Sequence, residues 1–471
     1  MVIAMLSKLG DRLSAFFRAT APDPFVLAVL LTLVTFAMAM TMRGTSFHDA
    51  VGYWAGDGGN SGVWAFLTFS MQMCLILVTG HAVAASRPVK WCIERLAAVP
   101  RSQAHAAGLV ALVAATLATL NWGLGLIGGA LLARDVTRSM RARGLAVHAP
   151  LMAAAGYVGL MVWHGGLSGT APLKVTSAGD IAEVLKNSSV TIEPIKLSET
   201  LFSPMNLVIT GGLIVLSVVV MMLLAPKQSE SAAALPSRTI DEPKREEATS
   251  DKGVIPRILE DTPLVNLTLA VIIAVWAWSY YLPTGDGGAI AWDKSGVLKL
   301  NPNTVNLTMV MLALILHGSP MRLVSAVEEG ARGCAGIILQ FPLYAGIMGL
   351  MNGSGLTGEL ARSIAGASNE TTLPLMTFLS AGVVNMFVPS GGGQWGVQGP
   401  IVVESALSAG VPVPKMIMAL AYGDQVTNML QPFWALPLLA ITGCKAREIV
   451  GYTAVLMLIA IVWICGCLLV F

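Results

Sequence analysis

The sequence predicts an all-α polytopic membrane protein, folded as two inverted repeats that each hold a re-entrant helical hairpin and a broken helix. Three observations lead there: bulk composition, apolar runs of spanning length separated by signed charge, and helix breakers beside polar side chains inside some of those runs. The 471 residues are 55% hydrophobic and 12% charged, against about 25% charged for soluble globular chains. The net charge of +2 comes with no long basic run, so the expected partner is the lipid bilayer and not nucleic acid. The six cysteines show no C-x-x-C spacing and read as small apolar residues. No cleavable leader is expected, because Lys8, Arg12 and Arg18 precede an apolar stretch too long for an h-region.

A helix needs about 20 apolar residues to cross a hydrocarbon layer of roughly 30 Å. Plain runs of this kind fall at 24–42, 63–85, 149–171, 205–225, 263–282, 303–318, 333–351, 413–442 and 447–470. Cytoplasmic loops carry the excess of Lys and Arg, which places Lys8, Arg12 and Arg18 inside, and Arg43 with Asp49 and Asp57 outside. Arg87, Lys90, Arg95 and Arg101 are inside again, and so are Arg134, Arg138, Arg141 and Arg143. The stretch 104–133 between these two sets therefore enters and leaves by the cytoplasmic face, as a hairpin turning near Asn121-Trp122-Gly123. Its counterpart, 371–408, turns at Pro389-Ser390-Gly391-Gly392-Gly393 between Glu370 and Glu404 and reads as a hairpin entering from outside. The polar stretch 226–262 reads as a flexible cytoplasmic linker. Lys445 and Arg447 start the last span inside and leave Phe471 outside.

The chain so divides into a first repeat at 1–225, the linker 226–262, a connecting helix at 263–282 and a second repeat at 283–471. Gln72 and Gln340, Asn121 and Asn385, Tyr157 and Tyr422, and Pro172 and Pro437 recur at a nearly constant interval. With the connecting helix between the copies, the second is inserted upside down. Inverted repeats with broken helices at their interface are the architecture of secondary transporters.

Polar groups at membrane depth are costly and face the protein interior or a water-filled path. They gather here at Asn121 to Gly125, Trp163 to Thr170, Asn385 with Pro389 to Pro400, and Tyr422 to Pro432. Glycine frees the backbone from the helix and proline removes a donor. Freed N–H groups at a half-helix N-terminus suit an anion, and freed carbonyls suit a cation. The candidate substrate-binding residues are Asn121, Trp122, Ser168, Thr170, Asn385, Ser390, Gly391, Gly392, Gly393, Gln398, Gln425, Asn428 and Gln431. Asp424, with His164 and Thr427, is the candidate for ion coupling, and a Na⁺ ion would sit near Ser168, Asn385 and Asn428. The plainer alternatives are a carboxylate locked in a structural network for Asp424 and a hydrogen-bonded core residue for His164. Lys174 reads as a loop charge, leaving no interior cation for a carboxylate substrate. A small monoanion held by N–H groups, hydroxyls and amides fits better than a dicarboxylate. Intramembrane hydrolysis through Ser390 lacks a histidine at depth in the second half, and no Walker A pattern supports direct ATP coupling. Neither catalytic residues nor an organic cofactor is expected.

At these residues the chain resembles the short-chain fatty acid transporter family, over nearly its whole length. The resemblance rests on Pro22-Asp23-Pro24, Met71-Gln72-Met73, Thr79-Gly80-His81 and Asn121-Trp122-Gly123 in the first half. In the second it rests on Val388-Pro389-Ser390-Gly391-Gly392-Gly393, Trp395, Gln398-Gly399-Pro400, Ala421-Tyr422-Gly423, Gln425, Asn428-Met429 and Gln431 through Pro437. It implies secondary active uptake of short-chain monocarboxylates such as butyrate and acetoacetate, coupled to H⁺ or Na⁺. By fold-level analogy with ion-coupled carboxylate carriers, it also implies two re-entrant hairpins and a homodimer working by an elevator motion. A carrier of another small organic anion, such as a dicarboxylate, is the alternative left open.

Overall fold

The computed structural model describes residue 19 and residues 22–57, 62–185, 190–226, 253–285, 289–291, 295–296, 302–359 and 369–471. Lys8, Arg12 and Arg18, and most of the linker predicted at 226–262, lie outside the described residues. Among those described, the chain is helical throughout, apart from connecting turns and one isolated bridge between Thr284 and Ile290. Among the described residues, seven helices are long and apolar enough to cross a membrane: Pro24–Arg43, Gly62–Val83, Gln103–Leu120, Pro204–Leu223, Leu264–Tyr281, Pro320–Gly353 and Ala446–Val470. Large side chains such as Leu33, Val215, Val271, Ile272, Val275 and Val462 are exposed on these helices, as a lipid-facing surface requires.

The remaining apolar stretches are interrupted, and local chemistry explains where. The helices Gln103–Leu120 and Trp122–Ala142 meet at Asn121, a single extended residue (φ −155°, ψ 129°). Asn121 Oδ1 accepts the N–H groups of Gly123 and Leu124 at 3.0 and 3.2 Å, so one side chain ends the first arm and caps the second. The second arm continues to Ala142, past the end expected near 133, and Arg134, Arg138 and Arg141 ride on it. In the second half the arms are Leu373–Asn385 and Gly391–Ala409, and Ser390 Oγ caps the latter by accepting from Gly393 N–H at 3.1 Å.

The apolar runs at 149–171 and 413–442, which hold the polar clusters Trp163 to Thr170 and Tyr422 to Pro432, are broken helices. The first is Ala149–Tyr157, a 3₁₀ turn at Val158–Met161, a turn through Trp163 to Ser168, and a short helix Thr170–Lys174. The second is Val413–Thr427, a 3₁₀ turn at Asn428–Leu430, extended Gln431, and Pro432–Thr442. Pro432 starts its helix at the position where a missing N–H costs nothing.

In both halves the first hairpin arm crosses the broken helix at a glycine just after a buried tyrosine. A methyl group at Gly159, after Tyr157, would lie 2.8 Å from Ala114 O and 2.9 Å from Ala118 Cβ. One at Gly423, after Tyr422, would collide with Phe378 O and lie 2.7 Å from Ala381 Cβ. Backbone atoms cannot swing aside as a side-chain tip can, so the arm would be pushed off. Gly423→Ala should therefore destabilise the folded protein by about 1–3 kcal/mol, the usual cost of overpacking. Thermal unfolding of the detergent-solubilised protein measures this, and an unchanged midpoint would show that the crossing has slack.

Candidate functional site

The turn of the first broken helix faces the last turn of Val413–Thr427, and one side chain from each makes the central contact. His164, in the turn of the first broken helix, points Nδ1 at Asp424 Oδ2, and the two side chains are 0% and 2% exposed. Ala171 N–H donates to His164 Nε2 at 3.0 Å. That nitrogen must therefore carry the lone pair, which leaves the proton on Nδ1, directed at the carboxylate. Trp163 stacks on the imidazole at 4.4 Å and 22°. Gln425 supports the same turn: its Oε1 accepts from His164 N–H and Gly165 N–H at 3.0 and 3.1 Å. The carboxylate and its neighbouring amide thus fasten the second broken helix to the freed groups of the first.

The other freed groups are met by amides and by a reciprocal pair of tyrosines. Asn385, at the end of the second hairpin's first arm, donates from Nδ2 to Asp424 O at 2.7 Å and Asn428 Oδ1 at 2.9 Å, with Thr427 Oγ1 at 3.0 Å. Gln431 Nε2 donates back to Asn385 O, and Asn428 Nδ2 reaches Leu160 O at 3.2 Å. Tyr157 of the first half places its hydroxyl 2.9 and 3.0 Å from the carbonyls of Asn428 and Gln431. Tyr422 of the second half donates to Asn206 Oδ1 at 3.0 Å. Asn206 in turn donates to Gly165 O and Leu201 O at 2.9 and 2.7 Å. Each tyrosine crosses to brace the other half's break.

The hairpin tips close on this assembly. Trp122 N–H donates to Ser168 Oγ at 3.0 Å, and Leu167 N–H to Thr119 O at 2.7 Å. The Trp122 ring packs edge-on against Trp434 and beside Phe69, in an aromatic cluster with Phe341 and Phe433. At the second tip, a methyl group on Gly391 would stand 2.7 Å from Trp163, 3.2 Å from Thr170 Oγ1 and 3.3 Å from His164 Cε1. Gly392 faces the methyl of Thr170, and Gly393 lies against Met348. The backbone at 391 comes this close because it carries no side chain.

Of the expected residues, His164, Asp424, Gln425, Thr170 and Gly391 share one neighbourhood, and Asn385, Thr427, Asn428 and Gln431 share the adjoining one. Asn121 and Ser390 act as helix caps at the tips. Gln398 lies apart, inside the second hairpin, where it accepts from Gln394 at 2.7 Å and donates to Ser380 Oγ at 3.2 Å. Lys174 pairs with Asp180 beyond the break. Sequence reasoning missed Asn206 and the orientation of Tyr422. The available signal was that Asn206 is the one amide in the apolar run 205–225.

With this geometry in place, the comparisons with known proteins are direct. The family profile described as short chain fatty acid transporter matches residues 5–471. The chain belongs to the short-chain fatty acid transporter family. A relative from Escherichia coli (strain K12), named for short-chain fatty acid transport, is 35% identical over 448 residues, covering 95% of this chain and 96% of that one. A second relative with the same name, from Haemophilus influenzae, is 34% identical over 449 residues with the same coverage. The crystal structure of the Alcanivorax borkumensis YdaH transporter aligns at 15% identity and a TM-score of 0.43, over 94% of this chain and 98% of that one. Membership of this family, with the apolar helices above, makes the protein a multi-pass membrane transporter.

Asn206→Ala would strip donors from two buried carbonyls and the acceptor from Tyr422, and each buried orphan costs about 1–3 kcal/mol. Tyr422→Phe removes one hydrogen bond and should cost about 1 kcal/mol. The expected order of thermal midpoints in detergent is wild type, then Tyr422→Phe, then Asn206→Ala. The reverse order would mean that Asn206 does not carry the brace.

Proposed function

We propose that this chain is a secondary active transporter of short-chain monocarboxylates, of the size of butyrate or acetoacetate, coupled to a proton taken up at the Asp424–His164 pair. One observation carries the reading. Among the described residues, Asp424 is the only Asp, Glu, Lys or Arg that is fully buried, and its partner is a histidine from the opposite break. An ionised carboxylate in a low-dielectric site disfavours a second negative charge nearby. Protonating the pair removes that charge, so proton and monoanion each favour the other's binding, and the coupling is reciprocal. The lack of a buried Lys or Arg among the described residues supports a single negative charge on the substrate over a dicarboxylate.

The same reading takes the two halves as inverted repeats whose hairpins enter from opposite faces of the bacterial inner membrane, with the N-terminus cytoplasmic. The matched order of hairpin and broken helix, and the reciprocal tyrosine braces, support it. Sodium coupling is the second reading. Asn385 Oδ1 and Gln431 Oε1 are buried acceptors without a partner, beside Thr427 and Asn428, and oxygen ligands suit a hard cation.

Uptake of labelled butyrate into proteoliposomes, driven separately by a pH gradient and by a Na⁺ gradient, tests both readings. Wild type should accumulate butyrate when the pH gradient is imposed, and Asp424→Asn should lose that accumulation while retaining exchange. Unchanged pH-driven uptake in Asp424→Asn would remove the proton role. Dependence on Na⁺ alone would transfer it to the second reading.

A further inference from the structure

We infer that the substrate carboxylate is bound by two side-chain donors, the indole N–H of Trp163 and the Nε2 amide of Gln425. This rests on the monocarboxylate reading and deepens it. Both residues are buried, at 6% and 0% exposure, and both donor atoms lack a partner. A buried donor without an acceptor costs about 1–3 kcal/mol, so two of them at one place need a reason. The orientation of the Gln425 amide is not arbitrary. Its oxygen is committed to the N–H groups of His164 and Gly165, which leaves the NH₂ group as the free end.

The two donors flank the same residue. The Trp163 ring stacks on the His164 imidazole, and Gln425 is anchored on the His164 backbone. The second hairpin's glycine tip closes against Trp163, at the start of the helix Gly391–Ala409, whose first N–H groups favour negative charge. The orphaned groups are also sorted by sign. The unpartnered atoms of Trp163 and Gln425 are donors, whereas those of Asn385 and Gln431, around the adjoining break, are acceptors. A cation at Trp163 and Gln425 would leave both N–H groups unmatched, whereas a carboxylate has an oxygen for each and the negative charge that strengthens hydrogen bonds from such donors. Proximity to Asp424 makes occupancy conditional on the proton, as the proposed coupling requires.

Butyrate binding to the purified full-length protein, by isothermal titration calorimetry at a pH where wild type binds, tests the assignment, with butyramide as the uncharged analogue. Trp163→Phe keeps an aromatic ring on His164 and removes the N–H group. Gln425→Glu keeps the accepting oxygen and replaces the donor with an acceptor. Each should weaken butyrate binding about tenfold or more, the usual effect of losing a hydrogen bond to a charged group. Each should also shrink the preference for butyrate over butyramide. A merely structural role would weaken both ligands alike and leave that preference unchanged, which would overturn the assignment. So would unchanged butyrate affinity in either folded variant, and the Gln425→Glu arm decides if Trp163→Phe does not fold. Absence of butyrate binding by wild type would instead overturn the monocarboxylate reading itself.

Discussion

The contact between His164 and Asp424 is the constraint around which the rest of the site is arranged. A carboxylate removed from water needs a partner that is also removed from water, and that partner lies 260 residues away in the chain. Bringing the two together requires the first helix to open into the turn through Trp163 to Ser168 beside the last turn of Val413–Thr427. It also requires the imidazole to be fixed in one tautomer, which the Ala171 N–H group does by occupying Nε2. Gly391 can have no side chain because His164 and Trp163 occupy that space. The turn through Trp163 to Ser168 and the glycine at the second hairpin's tip pack around this one pair between the two halves.

Broken helices free backbone N–H and C=O groups, which must be satisfied internally where no water is available. Among the described residues, this chain satisfies several of them with amides. Asn121, Asn206, Asn385 and Gln425 each hold two or more groups at a break or tip. An amide both donates and accepts and carries no charge, so it repairs the backbone without altering the electrostatics of the site. Lys, Arg, Asp or Glu in those positions would compete with the Asp424–His164 pair. Asn and Gln there add no charge beside Asp424 and His164.

The breaks were legible because their causes are local. Asn121, Ser390 and Pro432 stop or start helices through their own side chains or a missing N–H group, and such residues stand out in an apolar run. The clustering of His164, Asp424, Gln425 and Asn385 at depth was legible for the same reason. Their pairing was not, since local pattern says nothing about which face of one break meets which face of another. Asn206 was overlooked because its run otherwise satisfies the apolar template for a plain span, although it caps a neighbour's carbonyls. Gln398, a candidate binding residue, follows the glycines closely, yet two turns of helix carry it into the hairpin's own interior. The first hairpin runs on past residue 133 because Arg134, Arg138 and Arg141 ride on its second arm and do not mark a loop. Long basic side chains can equally sit on a helix that runs on past the apolar layer.

The proposed coupling needs no relay between distant sites. Two unit charges about 4–8 Å apart repel by roughly 2–4 kcal/mol at the effective dielectric of about 20 that suits protein sites. That corresponds to a change in affinity of roughly 30- to 1,000-fold, within and slightly above the usual range of binding couplings. A monoanion held beside Asp424 would therefore feel the protonation state of the pair directly. The same arithmetic explains why a buried Lys or Arg would be counterproductive. A fixed cation would bind the anion whether or not the proton was present, and the interdependence on which secondary transport relies would be lost.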